Sequence, residues 1–497
     1  MKHACCWIDG VPPVRYPALR STHTTDVAIV GGGIVGLTAA YLLAAAGREV
    51  TLIEALSIGR GVTGLSSAKI TSQHTLKYAD LIRRHGVAKA RLYADANRAG
   101  AGKVWELAQS LHIACDIEER DAYAFTLRPD RRDALEAEAS AARSLGFPAD
   151  VVARAPLPFQ NAGALRFGGQ AQFNPVRYLT GLARHVASAG GRLYQQTRVT
   201  KVIKKSGDLP WTLVAGVHRL HARELVTATH LPLGSPVQFD VRTRPRCHIA
   251  MAFRAVPEGM LDGMFIGTDA PAYSLRMAHD RKGPLLIVLA PEFPTGWEKD
   301  VEGRFARLES WVRTNVPAGA AEWRWVNEDY DTLGGLPFAG ELAHGAQRMF
   351  VATGFSGWGI SNGTASAMLI ADQLLGRPNP WSSLYDPSRR ANSQFNRGGE
   401  SQSVVGSVEQ IARDSGGVVT RGRQRIAVWR SAEGALHALS ARCTHMGCTV
   451  TWNNAQRTWD CPCHGSVFAR DGSVLHGPAT EPLRHLRVPK HTLGRPR

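Results

Sequence analysis

The sequence predicts a long α/β body followed by a small, mostly antiparallel all-β domain. Three stretches carry that reading. Near the start, a β-branched run over 26–30 leads into Gly31-Gly32-Gly33-Ile34-Val35-Gly36, an apolar helix over 37–46, and a second strand over 49–53 that ends at Glu54. Near the end, 404–490 breaks into short strands at 425–429, 436–439, 449–452 and 458–461. Between body and tail, 386–403 is polar, with Pro387, Arg389, Arg390, Asn392 and Gly398-Gly399, and reads as a flexible linker. At 497 residues the chain exceeds one core and suits about three domain-sized units.

The first stretch runs strand, Gly-x-Gly-x-x-Gly, helix, strand, acid, and each part has a mechanical reason. Gly31 permits the tight turn, Gly33 lets the backbone approach a pyrophosphate, and Gly36 allows close packing of helix on strand. The helix N-terminus offers free N–H groups to phosphate, and Glu54 is placed to accept the ribose hydroxyls. The glycine motif alone is weak; with flanking strands and acid it predicts a Rossmann-like dinucleotide-binding unit. Residues 1–23 stand before it as an N-terminal extension.

Residues 79–150 read as largely helical. Leu92, Ala96, Ala99, Val104, Leu107 and Leu111 trace one apolar stripe, interrupted by Gly100 and Gly102, and 130–145 forms a second helix. A helix over 174–189 has Pro175 near its start, and a strand over 192–202 follows Gly190-Gly191. Further strands are expected at 248–254, 284–289 and 348–352, with an amphipathic helix over 301–312.

Three later segments resemble flavin-binding elements of the D-amino-acid oxidase and glycine oxidase superfamily. They are the loop Gly59-Arg60-Gly61-Val62-Thr63-Gly64-Leu65-Ser66-Ser67-Ala68-Lys69, the strand end Thr227-Ala228-Thr229-His230, and Thr353-Gly354-Phe355-Ser356-Gly357-Trp358-Gly359-Ile360. His230 stands where the family pattern has Gly, and Trp358 and Asn362 also depart from it. The resemblance implies FAD, held by Gly31, Gly33, Ile34, Gly36, Glu54, Thr63, Ser66, Ala68, Lys69, Val199, Thr229, Gly354, Gly357, Trp358, Gly359 and Ile360. It also implies a discontinuous FAD-binding domain (24–78, 151–240 and 326–385) with an inserted α+β substrate domain (79–150 and 241–325). In relatives the last helix points its N-terminus at the pyrimidine end of the ring, where reduced flavin carries negative charge. His248, Tyr273 and Arg276 are the candidates for contacting substrate. His74 is a candidate for covalent flavin attachment, weighed against an ordinary polar loop residue.

The tail carries its own chemistry. Cys443 and His445 form a C-x-H pair, and Cys461 and His464 form a C-x-x-H pair. Two thiolates and two imidazoles suit a tetrahedral zinc, or a [2Fe–2S] cluster in which two His replace two Cys on one iron. Two loops each offering one Cys and one His match the cluster better than the usual zinc spacing. Loops that face each other across one cluster bring Cys448 and Cys463 within bridging reach, so a disulfide is expected there. Gly477-Pro478-Ala479 supplies a stiff third loop able to cover the cluster. Residues 403–490 resemble the Rieske proteins of cytochrome bc-type complexes. That resemblance implies the same four ligands, with Ser466 donating to a cluster sulfide and Pro478 in the covering loop. Phe468 replaces the family's frequent Tyr, which removes a hydroxyl donor to a ligand sulfur and should lower the reduction potential.

Composition narrows the function. A hydrophobic content of 44%, with 50 Gly and 27 Pro, is that of ordinary globular material, not disorder. The net charge of +17 reads first as a solvated surface and second as a steering face for an acidic redox protein. No Lys/Arg block with interleaved aromatics occurs, so nucleic acid is not an expected partner. Residues 1–13 lack the apolar stretch of a secretion signal and no apolar run of about 18 residues occurs, so a cytoplasmic location without a transmembrane segment is expected. Cys5, Cys6, Cys115 and Cys247 have no metal spacing and read as buried thiols. The two resemblances taken together are to the bacterial FAD-dependent oxidoreductases fused to a Rieske domain, and they imply the activity expected here. The protein would dehydrogenate an amine or amino acid and pass electrons from flavin to cluster to an external acceptor. The alternative is an electron relay between protein partners with no small-molecule substrate.

Overall fold

The computed structural model describes residues 1–342, 348–389 and 404–487. Of the expected linker, 390–403 lie outside the described residues, as do 488–490 at the end of the tail domain.

A parallel sheet forms around His23–Val30. Val50–Ile53 pairs on one side with Arg192–Tyr194 beyond it, and His218–Thr227 and then Met349–Thr353 follow on the other. Phe338–Glu341 closes that edge antiparallel, and the hairpin Lys201–Lys204 with Trp211–Ala215 extends His218–Thr227. Val50–Ile53 and the second half of His23–Val30 are buried apolar runs, as strands covered on both faces must be. Helix Ile34–Ala45 packs against helices Pro175–Ser188 and Gly359–Leu374. The glycine turn is needed sterically. Gly31 has φ +111°, and a Cβ there would stand 2.4 Å from the Ala228 carbonyl oxygen; a Cβ on Gly36 would stand 1.9 Å from the Gly31 carbonyl oxygen.

The second sheet is larger and mixed. Its order is Lys2–His3, Ala321–Thr332, Thr243–Phe253, Gly283–Leu289, Ser274–Asp280, Met264–Gly267, Glu118–Thr126, Gly163–Gln172 and Lys69–Ile70. Several expectations change here. The first residues are part of the body, because Lys2–His3 pairs with Ala321–Thr332 and helix Cys6–Gly10 buries Cys6 and Trp7. Strand Gly163–Gln172 joins this large sheet, although it falls in a segment expected to bind nucleotide. The region 79–150 contains strands Glu118–Thr126 and Ala149–Val152 as well as helices. The strand expected over 192–202 stops at Tyr194, and the chain resumes pairing at Lys201.

Helix Val87–Ser110 runs straight through Gly100 and Gly102. Gly100 marks a close approach, since a Cβ there would meet the Ser361 carbonyl oxygen at 2.2 Å, on helix Gly359–Leu374. Gly102 is exposed with open space around it.

The tail is two antiparallel four-stranded sheets. One orders Ser415–Arg421, Gln424–Arg430, Leu436–Ser440 and His485–Leu486; the other orders Thr451–Asn453, Thr458–Asp460, Val467–Ala469 and Val474–His476. Buried Trp459 and Phe468 pack with Cys443 and Cys461 in one core. Among the described residues no helix is long and apolar enough to cross a membrane.

The two helical glycines should respond oppositely. Gly100→Val is expected to destabilise by about 1–3 kcal/mol through overpacking, whereas Gly102→Ala should be neutral or stabilise by up to about 1 kcal/mol. Denaturant unfolding of both variants checks this, and equal effects would remove the packing role given to Gly100.

Candidate redox site

A cavity of about 290 Å³ opens where the two sheets meet the tail domain. Of the residues expected to hold the nucleotide, Gly31, Gly33, Ile34, Glu54, Thr63, Ser66, Ala68, Lys69, Val199, Thr229, Gly357, Trp358, Gly359 and Ile360 line it. Gly36 and Gly354 are absent from its lining; Gly36 sits behind the turn, and a Cβ on Gly354 would press on Thr332 at 2.2 Å. Two helices begin at the cavity wall, Ile34–Ala45 and Gly359–Leu374, and neither has a side-chain cap at its N-terminus. Apart from Ile34 N, which Thr63 engages, the leading N–H groups of these helices suit a pyrophosphate at one end and an anionic ring edge at the other. Glu54 ties down the turn by accepting from the backbone N–H of Gly32 and of Leu56, both at 2.8 Å, and Thr63 Oγ1 accepts from Ile34 N at 3.2 Å. The glycine turn, the acid and the two helix N-termini therefore suit the phosphates and ring edge of a flavin dinucleotide.

The substrate candidates separate. His248 lines the cavity, and burial, helped by the Arg246 charge, pushes its pKa down to about 4. Tyr273 is outside the cavity lining and stacks on Trp311 with ring centres 4.0 Å apart. Arg276 is buried and donates through Nη1 to the carbonyls of Ser67, Ala68 and Phe173, so it shapes the 67–68 loop from behind. The side chain of His74 is also fully engaged: Nδ1 meets Tyr93 Oη at 2.8 Å, Nε2 meets Thr71 O and Ser361 Oγ, and the ring stacks on Trp358. Burial holds its pKa near 3. Lys69 donates to Phe265 O and Ser274 Oγ, and burial, with Arg276 nearby, brings its ammonium down to about 7.

The four expected metal ligands converge at one end of the tail domain. His445 Nδ1 and His464 Nδ1 are 3.3 Å apart, and hydrogen bonding with Cys461 leads the groups that lower the Cys443 thiol to about 7. Each ligand loop is tightened by its own backbone: Gly447 N donates to Cys443 O, and Gly465 N donates to Cys461 O. The sulfurs pair with each other and so do the imidazoles, which suits an iron pair with one all-sulfur and one all-nitrogen side. Cys448 and Cys463 form a disulfide across the loops. Ser466 Oγ accepts from Ala479 N at 3.0 Å and also hydrogen-bonds Cys443, joining the second loop to the third. Cys5, Cys6, Cys115 and Cys247 are free and buried.

The tail also closes the cavity, which the sequence had not indicated. Leu475, His476, Gly477, Pro478, Ala479 and Thr480 belong to its wall. Arg198 donates to Val474 O at 3.0 Å, Tyr330 Oη donates to His464 O at 2.7 Å, and a Cβ on Gly296 would strike Pro462. His464 is only 2% exposed and its Nε2 lies 3.5 Å from Asp240 Oδ2. The one sequence signal for this contact was His230 in place of Gly, since that ring meets His476 of the tail at 3.3 Å.

Comparison with known proteins agrees with this geometry. Residues 26–373 match the family model of the FAD dependent oxidoreductase (DAO) and residues 401–488 that of the Rieske [2Fe-2S] domain. YhfW of Bacillus subtilis (strain 168), named for a Rieske 2Fe-2S iron-sulfur protein, is 30% identical over 496 residues, covering 97% of both chains. OrdL of Rhizobium meliloti (strain 1021), named as an oxidoreductase, is 30% identical over 399 residues, covering 75% of this chain and 88% of OrdL. In fold, glycine oxidase from Geobacillus kaustophilus superposes with TM-score 0.61 at 21% identity, over 74% of this chain and all of that one. L-proline dehydrogenase from P.horikoshii gives 0.58 at 17%, over 74% and 97%. With the tail matched to the Rieske domain, the zinc alternative falls away. The chain belongs to the FAD dependent oxidoreductase family, carries a C-terminal Rieske domain, and uses FAD and a [2Fe–2S] cluster as its cofactors.

Proposed function

We propose that this protein dehydrogenates an amine or amino acid at its FAD and passes the electrons through the Rieske cluster to an external acceptor, as a dehydrogenase and not an oxidase. The observation that carries the reading is the shared wall: residues of the third cluster loop, Gly477 to Thr480, line the same cavity as Gly31, Glu54 and Gly359. Bound FAD supplies two-electron oxidation of the substrate, and the cluster supplies a one-electron store with an exit other than oxygen. The names of structures sharing the fold, among them a glycine oxidase and an L-proline dehydrogenase, support the substrate class.

The chain's residues have distinct tasks in this reading. The N-terminus of Ile34–Ala45 holds phosphate, and that of Gly359–Leu374 stabilises negative charge on the ring edge. Cys443, His445, Cys461 and His464 ligate the cluster, with Ser466 and Pro478 around it. Trp358, stacked on buried His74, forms a rigid wall. His248 is neutral at physiological pH, and Lys69 loses its proton near pH 7, so neither sets a full charge against the substrate in mildly alkaline solution. Tyr330 and Arg198 keep the cluster loops seated and exclude water.

Three outcomes test this. Anaerobic addition of a panel of amines and amino acids should bleach the flavin; bleaching by none of them, with reduction only by a reduced protein, would favour the relay function. Cys461→Ser should lose the cluster's EPR signal and its reduction of external acceptors, while substrate still bleaches the flavin. Unchanged acceptor reduction in that variant ends the proposal. Phe468→Tyr, restoring a hydroxyl next to the cluster cysteines, should raise the cluster's potential by about 20–60 mV, the equivalent of one hydrogen bond of about 0.5–1.5 kcal/mol, as read by EPR-monitored redox titration.

A further inference from the structure

A second set of ligand-type side chains lies outside the cysteine–histidine loops. His230 lies in the bend that follows strand His218–Thr227 of the nucleotide-binding sheet, Glu328 belongs to strand Ala321–Thr332, and His476 closes strand Val474–His476 of the Rieske domain. One ligand atom from each lies within 4.8 Å of the other two. His230 Nδ1 is 3.3 Å from His476 Nε2, and His476 Nε2 is 3.5 Å from Glu328 Oε1. Bonds of about 2.0–2.1 Å at tetrahedral angles put neighbouring ligand atoms about 3.3 Å apart. The separations of His476 from His230 and from Glu328 are therefore compatible with groups arranged around one small cation.

Two independent features point the same way. Glu328 is 7% exposed, and neither of its carboxylate oxygens has a hydrogen-bond partner of good geometry among the described residues; the Thr295 and Tyr330 hydroxyls only come near it. The backbone of the cluster loop crowds it from the other side, since a Cβ on Gly465 would stand 2.5 Å from Oε1. A buried carboxyl with so little hydrogen bonding is costly to ionise, and a bound cation would offset that cost. In addition, His230 presents its other nitrogen, Nε2, to Asp329 Oδ1 at 3.3 Å, and Asp329 is fixed in turn by the Gly357 N–H. A carboxylate behind a ligating imidazole is the usual way its orientation is set.

We propose that His230, Glu328 and His476 bind a divalent metal ion of the zinc class, separate from the [2Fe–2S] cluster, that fastens the Rieske domain to the flavin-binding body. Two imidazoles and one carboxylate leave a fourth position for water. Because the ligands come from three separate parts of the chain, the ion would hold the docked arrangement of body and tail.

The test uses the full-length protein with both cofactors, dialysed against EDTA and then against zinc, with metals counted per chain and the cluster followed by EPR. One equivalent of zinc in addition to the cluster iron is expected, with an unfolding temperature that rises with zinc concentration. Glu328→Gln and His476→Ala should lose this zinc, and Asp329→Asn, which keeps all three ligands, should bind it about 10–100-fold more weakly. If the ligand variants do not fold, the wild-type count decides. No zinc beyond the cluster iron, zinc uptake matched by iron loss, or undiminished binding in a folded His476→Ala protein overturns the proposal.

Discussion

The seating of the cluster loops on the body is the contact on which the remaining features depend. Tyr330 donates to the carbonyl of His464, and Arg198 donates to the carbonyl of Val474. Both bonds join a side chain of the body to a backbone carbonyl of the tail, and polar groups at such a contact are expensive to leave unpaired. With these bonds in place, His464 is shut away from water while His445 keeps partial exposure. One imidazole thus faces the flavin-binding body and the other keeps partial access to solvent, the polarity that the proposed electron route requires. Covalent linkage in one chain makes this docking intramolecular, so it does not depend on protein concentration.

In and around the cavity behind that contact, burial favours the neutral form of several titratable groups. His74, His248 and His476 are all kept neutral by desolvation, and Lys69 is brought close to neutrality. Arg276 retains its role as a donor by clamping three backbone carbonyls, and Trp7 of the first helix covers its guanidinium at 5.1 Å. The N-terminal residues thereby serve the site indirectly: they cover the arginine that shapes the 67–68 loop, and Ala68 on that loop adopts φ +58° at the cavity edge.

Much of the site was readable because its chemistry depends on short, contiguous runs. A glycine turn between strand and helix, and a Cys or His two or three residues from its partner, are local constraints that survive without knowledge of the fold. The elements read less well were those whose logic is long-range. Gly100 looked like a helix interruption, yet it answers to the backbone of Ser361. Strand Glu118–Thr126 sat unnoticed in a helical region because its identity comes from pairing with Gly163–Gln172 and Met264–Gly267. Tyr273 and Arg276 were reasonable polar candidates, but only packing shows that one stacks on Trp311 and the other faces carbonyls.

By itself the amino-acid order determined the two cofactor chemistries, since phosphate-binding glycines and Cys/His ligand pairs act at separations of a few residues. Tertiary structure alone decided that the third cluster loop completes the flavin cavity, and that His230, Glu328 and His476 meet. Those residues are brought together by the packing of separate sheets, and no spacing along the chain encodes a distance that arises only when two buried surfaces close on each other.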